Sequence, residues 1–429
     1  MSAVVVFVLF LVFIAVAIPI AVSLGIVSVL PGMLDPSFTA SAGFVIRSML
    51  GGIDSFPLLA VPMFVLAGIL MAHGGISARL FDVFSYFLGR CTAGIPAAVI
   101  ITCLFYGAIS GSAPATVAAV GSMTIPLLVE MGYEKDFSTA VVAVSGGLGV
   151  IIPPSIPFIM YGLASGESVS NLFVAGIVPG VLTGVLLVGY AYVYCKRHGE
   201  DREKIDRKID DLHRKGFLRV FADSFWAILS PVVTLGAIYT GVASPTEAAV
   251  ISVVYSLAIS LFVYKTIRPR ELWKLFSEAM RTYAPILFIL AASMAFSRVL
   301  TLMQVPQTVS EWMLGNFANK VVLLLVINVF LLVVGMMMDT TPAILILSPI
   351  LVPVVTAAGM NPIHFGVMMV VNLAVGFVTP PIGVNLFVAS SLTKISVVSI
   401  ARKALPMIAV FLAALLLITF VPQISLWLL

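Results

Sequence analysis

Apolar residues fill this chain in long blocks, a pattern that neither alternates as in half-buried strands nor leaves a polar face as in surface helices. Several blocks approach the roughly 20 residues that an apolar helix needs to cross a bilayer. Others come in half-length pairs. Residues 95–109 and 115–131 flank Ser110, Gly111, Ser112, Ala113 and Pro114, which predicts a re-entrant helical hairpin over 95–131. Residues 137–150 and 155–164 flank Ile151, Ile152, Pro153 and Pro154, which predicts a helix broken inside the membrane over 137–164. The same pair returns later as a hairpin over 321–357 around Met338, Asp339, Thr340 and Thr341, then a broken helix over 365–391 around Val378, Thr379, Pro380 and Pro381. The opening run, residues 1–30, has no basic start and no small-residue cleavage pattern, so it reads as a retained first span of a complete polytopic chain.

One polar stretch interrupts the blocks. Residues 196–219 hold nine of the 23 basic and six of the 19 acidic residues, and divide the chain into a first half, 1–195, and a second, 220–429. Short Lys/Arg-rich segments stay cytoplasmic, which places this linker inside, together with residues 265–281 and the cluster Lys394, Arg402 and Lys403. Sliding the halves past each other by about 227 residues puts Gly132, Gly149, Pro153, Pro154 and Pro179 on Gly359, Gly376, Pro380, Pro381 and Pro406, and Pro114 meets Pro342 with a one-residue slip. Counting crossings from the linker puts the open end of the first hairpin inside, near Lys135, and that of the second outside, after residues 307–319. The halves are therefore expected to be inverted, which is the architecture of secondary transporters. The expected fold is an all-α polytopic membrane protein, an inverted repeat of the ion-transporter type with two re-entrant hairpins and two broken helices.

Composition narrows this further. Of 429 residues 61% are hydrophobic and 10% charged, with a mean hydropathy of +1.17, whereas a soluble domain carries about a quarter charged residues. A water-soluble globular protein is excluded, and the length allows roughly ten to fourteen spans. The net charge of +4 is too small and dispersed for a nucleic-acid partner. Cys91, Cys103 and Cys195 have no metal-ligand spacing, and the four histidines form no close pair, so neither a structural metal nor a disulfide framework is expected. There is no His-Glu-x-x-His, no Gly-x-x-x-x-Gly-Lys-Ser/Thr and no Gly-x-Ser-x-Gly. An intramembrane hydrolase built on Ser110 or Ser112 would lack a base at matching depth. The chain reads as no enzyme and no nucleotide-driven pump.

The chemistry therefore lies at the breaks. A helix cut inside the bilayer exposes carbonyls at the end of one piece and amides at the start of the next, and lipid satisfies neither. The carbonyl end suits Na⁺ and the amide end suits a carboxylate. Pro154 and Pro381 enforce the cuts, because neither can donate and each pushes its predecessor out of the helical region. Ser110, Ser112, Thr116 and Ser155 in one half, and Thr340, Thr341 and Thr379 in the other, add hard hydroxyl oxygens. Singly, each hydroxyl is more readily explained by back-bonding to its own helix; the symmetric grouping favours a polar site. Asp339 is a carboxylate at a hairpin tip, where burial costs about 2.5–3.5 kcal/mol, so it serves Na⁺, caps the Pro342 helix or takes part in gating. Arg298 sits inside the 283–302 span and must pair, snorkel or meet an anion. Glu247 and Arg47 read as inter-helix or interfacial partners, Asn372 and Asn385 as amide contacts beside the second break or helix–helix bonds, and Trp226, Trp273, Trp312 and Trp427 as interfacial anchors.

Four stretches carry a family resemblance: FYGAISGSAPATVAAVG at 105–121, GLGVIIPPS at 147–155, GMMMDTTPA at 335–343 and GFVTPPIG at 376–383. With them the chain resembles, over essentially its whole length, the large membrane subunit (DctM type) of tripartite ATP-independent periplasmic (TRAP) transporters. That resemblance implies Na⁺-coupled uptake of an organic acid, such as a C4-dicarboxylate or sialic acid, across the bacterial inner membrane by an elevator movement, with no cofactor beyond Na⁺ as coupling ion. It implies two partners besides membrane lipid: a separate small four-helix membrane subunit and a periplasmic substrate-binding protein. It places one Na⁺ at Ser110, Ser112 and the carbonyls of 147–153, including Gly147, Val150 and Pro153, and a second at Gly335, Asp339 and the carbonyls of 376–379, including Gly376 and Thr379. Solute would lie between the breaks, against Thr116, Pro154, Ser155, Thr340, Thr341, Pro381 and Asn385, with Arg298 as a further candidate. Competing readings are a stand-alone Na⁺/anion symporter of related fold and the permease of an ATP-driven importer.

Overall fold

The computed structural model describes residues 3–35, 38–317 and 319–429, and the regular elements of the described residues are all helices. Nine of them are long and apolar enough to cross a membrane. The same succession occurs in each half. The first half runs through Ala3–Ala15, Ile20–Leu34, the interrupted pair Ala42–Ile53 and Ala60–His73, and the short Ile76–Leu88. Hairpin 1 (Gly94–Ser110 and Ala113–Glu130), broken helix 1 (Lys135–Ser145 and Ile156–Ser165) and the long Val169–His198 complete it. The second half runs through Phe217–Tyr239, Pro245–Ala258, Leu272–Leu302 and Val305–Asn316 to hairpin 2 (Lys320–Met337 and Thr340–Ala357), broken helix 2 (Pro362–Gly376 and Val384–Thr393) and Val397–Phe420.

The opening run is not the single span that its hydropathy suggests. Met1 and Ser2 lie outside the described residues; beyond them Ala3–Ala15 ends at Ala17, whose φ is 63°, and Ile20–Leu34 begins after Pro19. The Ile18 amide donates to Phe13 O at 2.9 Å and the Ala17 amide to Ile14 O at 2.9 Å, the pairing with which a helix closes on a left-handed residue. Pro19 excludes Ile18 from the helical region, a signal that average hydropathy does not carry.

The linker forms the amphipathic helix Arg202–Arg214, whose Ile205, Ile209 and Leu212 are buried. It ties together one end of the molecule. Glu200, its side chain only 3% exposed, accepts from the Ala93 amide at 3.1 Å, from Tyr133 Oη at 2.6 Å and from Arg202 at 2.7 Å. Arg90 pairs with Asp210, Lys208 with Glu130, and Lys403 with Glu134. The Lys403 ammonium beside Glu134 holds its carboxyl below the usual carboxylate range. Lys135 Nζ donates to Thr393 O at 2.9 Å. Thus the open end of hairpin 1, the start of broken helix 1 and the finish of broken helix 2 meet at the linker end. At the far end, Lys320 Nζ closes hairpin 2 on Gly359 O at 2.8 Å, and Tyr161 Oη donates to Pro362 O at 2.6 Å. The hairpins enter from opposite ends, and the halves are inverted.

Each hairpin crosses its own break through a pair of glycines. A Cβ on Gly107 would overlap Gly149 Cα, and one on Gly376 would lie 2.6 Å from Gly335 Cα. Gly149 and Gly376 occupy equivalent positions in the repeat, and Gly107 and Gly335 do so in the one-residue slip that also relates Pro114 to Pro342. Backbone therefore meets backbone at both cuts, and no side chain fits between. Gly376→Ala is expected to destabilise the protein by about 2 kcal/mol, as overpacking does, whereas Gly189→Ala, with open space around it in Val169–His198, is neutral or slightly stabilising; thermal unfolding of both variants in detergent checks this.

Candidate ion and solute site

Broken helix 1 ends its first piece at Ser145, tightens into a 3₁₀ turn at Gly146–Val150, and passes through Pro153 and Pro154, both buried, to Ser155. Ser155 caps the second piece, accepting from the Phe158 amide at 3.4 Å and donating to Val150 O at 2.5 Å. The tip of hairpin 1 docks here, with the Ile156 amide donating to Gly111 O at 3.3 Å. Beside this contact three neutral oxygens converge. Ser110 Oγ lies 3.1 Å from Thr116 Oγ1, which donates to Ser112 O at 2.8 Å, and Ser110 Oγ is 3.4 Å from the same carbonyl. The fourth wall is Gly149, where a Cβ would overlap Thr116 Oγ1 and sit 3.1 Å from Ser112 O. Hydroxyls and a carbonyl crowded without any net charge fit a hard monovalent cation. Gly147 instead faces the Phe411 ring, 3.1 Å from where its Cβ would be.

The second cut is built differently. Asp339 occupies the tip of hairpin 2 as the cap of Thr340–Ala357, its Oδ1 accepting from the Thr341 amide at 3.2 Å and Thr340 Oγ1 at 3.1 Å. Thr340 and Thr341 are buried, but Asp339 is exposed, contrary to the burial expected for it; it stands at the apex of the turn with its carboxylate folded back on the helix start. Thr379 Oγ1 back-bonds to Val375 O at 2.7 Å. Pro380 and Pro381 are exposed where Pro153 and Pro154 are buried. Asn385 reaches across to the other half, donating to Ala143 O at 3.0 Å, and its buried Oδ1 has no partner among the described residues.

Three of the expected residues play another part. Asn372 donates to Asn328 O and Oδ1, both at 2.9 Å, a bond between broken helix 2 and hairpin 2. Among the described residues Glu247 makes no inter-helix pair; it closes a capping box with Ser244 at the start of its own helix. Arg298 is exposed on Leu272–Leu302 beside Gly51 of Ala42–Ile53, away from both cuts.

A cavity of about 530 Å³ leads from the tip of hairpin 1, at Ser110 and Ser112, past Tyr106 and Thr282 to a rim of His73 and Glu278. Those two side chains, half-exposed and 4.0 Å apart, belong to Ala60–His73 and Leu272–Leu302. The neighbouring Gly74 carbonyl accepts from Thr266, just before Leu272–Leu302 begins, so the rim lies at the linker end. Tyr106, Thr282, His73 and Glu278 carry no sequence signal of this kind, because the helices that bring them together lie far apart in the chain.

Inverted halves, paired hairpins and cut helices in an all-helical membrane body define a transport protein. The fold matches the YdaH transporter of Alcanivorax borkumensis with a TM-score of 0.67 at 15% identity, covering 96% of this chain and 97% of that one. It also matches MtrF of Neisseria gonorrhoeae with a TM-score of 0.60 at 14% identity, over 87% and 83% of the two chains. The family model for the tripartite ATP-independent periplasmic transporter, DctM component, matches residues 7–424, and the chain belongs to that family. It is therefore a transporter permease subunit and not an enzyme. Among relatives, the isethionate TRAP transporter permease protein DctMQ of Oleidesulfovibrio alaskensis is 43% identical over 97% of this chain, which spans 65% of that protein's length. The C4-dicarboxylate TRAP transporter large permease protein DctM of Pseudomonas aeruginosa is 38% identical over 87% of this chain and 86% of that protein. The sialic acid TRAP transporter large permease protein SiaM of Vibrio cholerae is 34% identical over 89% and 88%.

The hydrogen bonds of Asp339 make a direct test possible. Asn caps helices as well as Asp does, and Ala costs about 1 kcal/mol. Asp339→Ala is expected to lower transport strongly while Asp339→Asn keeps most of it, as measured by initial uptake rates in proteoliposomes.

Proposed function

We propose that this chain carries an organic acid into the cell with Na⁺, as the large membrane subunit of a three-part uptake system. The observation that carries the reading is the uncharged cradle of Ser110 Oγ, Thr116 Oγ1 and Ser112 O against Gly149, which suits Na⁺ and offers no anionic group for a divalent metal. The carbonyls of the second cut, with Gly335, Gly376 and Thr379, would take a second Na⁺. The solute's acid group would sit between the cuts near Thr340, Thr341 and Asn385, its charge offset by the ions. Names of the relatives favour a small carboxylate or sulfonate.

The basic residues of the linker favour a cytoplasmic location for it and an inner-membrane setting for the chain. The cavity then faces the cytoplasm, and the pseudo-two-fold repeat supplies an equivalent state open to the other side. Hairpins and broken helices would move together between these states as the carrying body of an elevator, past Ala60–His73 and Leu272–Leu302. A small four-helix subunit would steady that frame, and a periplasmic binding protein would deliver the acid. One net positive charge entering with each solute at 100 mV supplies about 2.3 kcal/mol, close to fiftyfold accumulation before any Na⁺ gradient is added.

Uptake in liposomes holding this chain, the small subunit and a loaded binding protein tests the reading. Replacing Na⁺ by K⁺ is expected to abolish uptake, and persistence in K⁺ contradicts it; uptake without the binding protein would mark a stand-alone symporter. Thr116→Val and Gly149→Ala are each expected to raise the Na⁺ concentration for half-maximal uptake by about tenfold, the equivalent of about 1.4 kcal/mol, as read from Na⁺ titrations of initial rate.

A further inference from the structure

The cavity at the linker end is walled on one side by the second arm of hairpin 1, at Pro114, Ala118 and Ser122, and on the other by Ala60–His73 and Leu272–Leu302. The matching arm of hairpin 2, Thr340–Ala357, is instead buried over most of its length, packed on Leu272–Leu302 and Val305–Asn316. In the register that puts Pro114 on Pro342, the cavity-lining Ser122 falls on the buried Ile350. One second arm thus stands away from the frame while its counterpart lies on it, and the carrying body is turned open toward the linker.

A contact that holds it there lies on the first arm of hairpin 1. Tyr106 and Ser110 are one turn apart on a single helix face, and both meet Ala60–His73 at Gly68. The buried Tyr106 Oη donates to Gly68 O at 3.0 Å, and a Cβ on Gly68 would lie 3.2 Å from both Cα and Cβ of Ser110. Among the described residues this is the one side-chain hydrogen bond between either hairpin and Ala60–His73 or Leu272–Leu302. The missing side chain at Gly68 lets frame backbone touch the cradle residue directly and brings its carbonyl within reach of the phenol.

The repeat does not copy this contact. Beside the Gly107–Gly335 match, Tyr106 falls on Val334, which has no hydroxyl, and Ser110 on Met338. Gly68 falls on Phe296 in the register that also puts Pro57 on Pro285, and on Ala295 without the slip. Phe296 is buried against the rings of Phe7 and Phe10. The first arm of hairpin 2 is correspondingly free, with Val334 half-buried and Val333 exposed. A body turned the other way would find neither the phenol nor the bare backbone.

We propose that Tyr106 is a positioning residue of the transport step: its bond to Gly68 holds the carrying body on the frame in the linker-facing orientation, and no equivalent catch holds the orientation open to the far end. The inference rests on the elevator reading above. Tyr106→Phe deletes the hydroxyl and keeps the ring, and losing one buried hydrogen bond is expected to move the ratio of the two orientations about fivefold toward the far-open one.

Cysteine reporters in the complete membrane complex test this, in a Cys91→Ser background because Cys91 is exposed whereas Cys103 and Cys195 are buried. The reading is the rate of reaction with a charged thiol reagent in detergent. Ile350→Cys, buried now and uncovered in the far-open orientation, is expected to react about fivefold faster in Tyr106→Phe, and Ser122→Cys no faster. Acceleration at both positions is local loosening and overturns the proposal, as does an unchanged rate at Ile350→Cys. Should Ile350→Cys not fold, initial uptake with titrated loaded binding protein decides. A ligand arriving at the far face binds the far-open orientation, so Tyr106→Phe should lower the half-saturating concentration by up to fivefold, and an unchanged or raised value overturns the catch. A wild type whose uptake is indifferent to Na⁺ refutes the carrier reading, and an Ile350→Cys that never reacts in complexes competent for transport refutes the elevator movement; with both in place the outcomes bear on Tyr106 alone.

Discussion

A helix cut inside a bilayer leaves backbone amides and carbonyls that lipid cannot pair, each at a cost of several kcal/mol. Everything central to this fold answers that constraint. At the first cut the answer is local: a 3₁₀ turn, the Ser155 cap, and the hairpin tip whose Gly111 carbonyl accepts from Ile156. It is also partly remote, since the Asn385 side chain crosses from the other half to pair the Ala143 carbonyl, whereas the second cut closes on itself, the Asn385 amide donating to Phe377 O. The glycine pairs Gly107–Gly149 and Gly335–Gly376 let each hairpin approach its cut closely enough to share this task.

Much of this skeleton is legible in the sequence because its signals are local. The double prolines, the polar tips of the hairpins and the charged linker stand out from apolar surroundings, and their spacing repeats. The contacts that finish the site are not local. Gly107 and Gly335 each resemble any membrane glycine until they are seen against Gly149 and Gly376, 42 and 41 residues away. Asn372 has an obvious role only once Asn328 faces it. Asp339 looks buried by hydropathy, because an average over neighbours cannot tell the inside of a turn from its exposed apex. Arg298 looks like a site residue because an arginine inside an apolar span must pair, snorkel or meet an anion, yet it lies outside the cavity that its helix lines at Glu278, Thr282 and Ile286.

The repeat is symmetric in backbone and asymmetric in chemistry. One tip offers Ser110 and Ser112, the other Asp339, Thr340 and Thr341; one double proline is buried, the other exposed. A carrier needs both properties. Near-equivalent halves keep two orientations close in energy, while unequal side chains make the two tips and the two cuts chemically distinct. The linker network around Glu200 adds a fixed corner, joining the base of hairpin 1 to the long helix that precedes the second half.

The most direct measurement is the melting temperature of the purified chain in detergent across NaCl and KCl series of equal ionic strength. Binding to the folded state alone stabilises it in proportion to the logarithm of free ligand above the dissociation constant. If the cut helices and hairpin tips hold Na⁺, the melting temperature climbs with NaCl well above the KCl series. Coincident curves in the two salts would contradict the account.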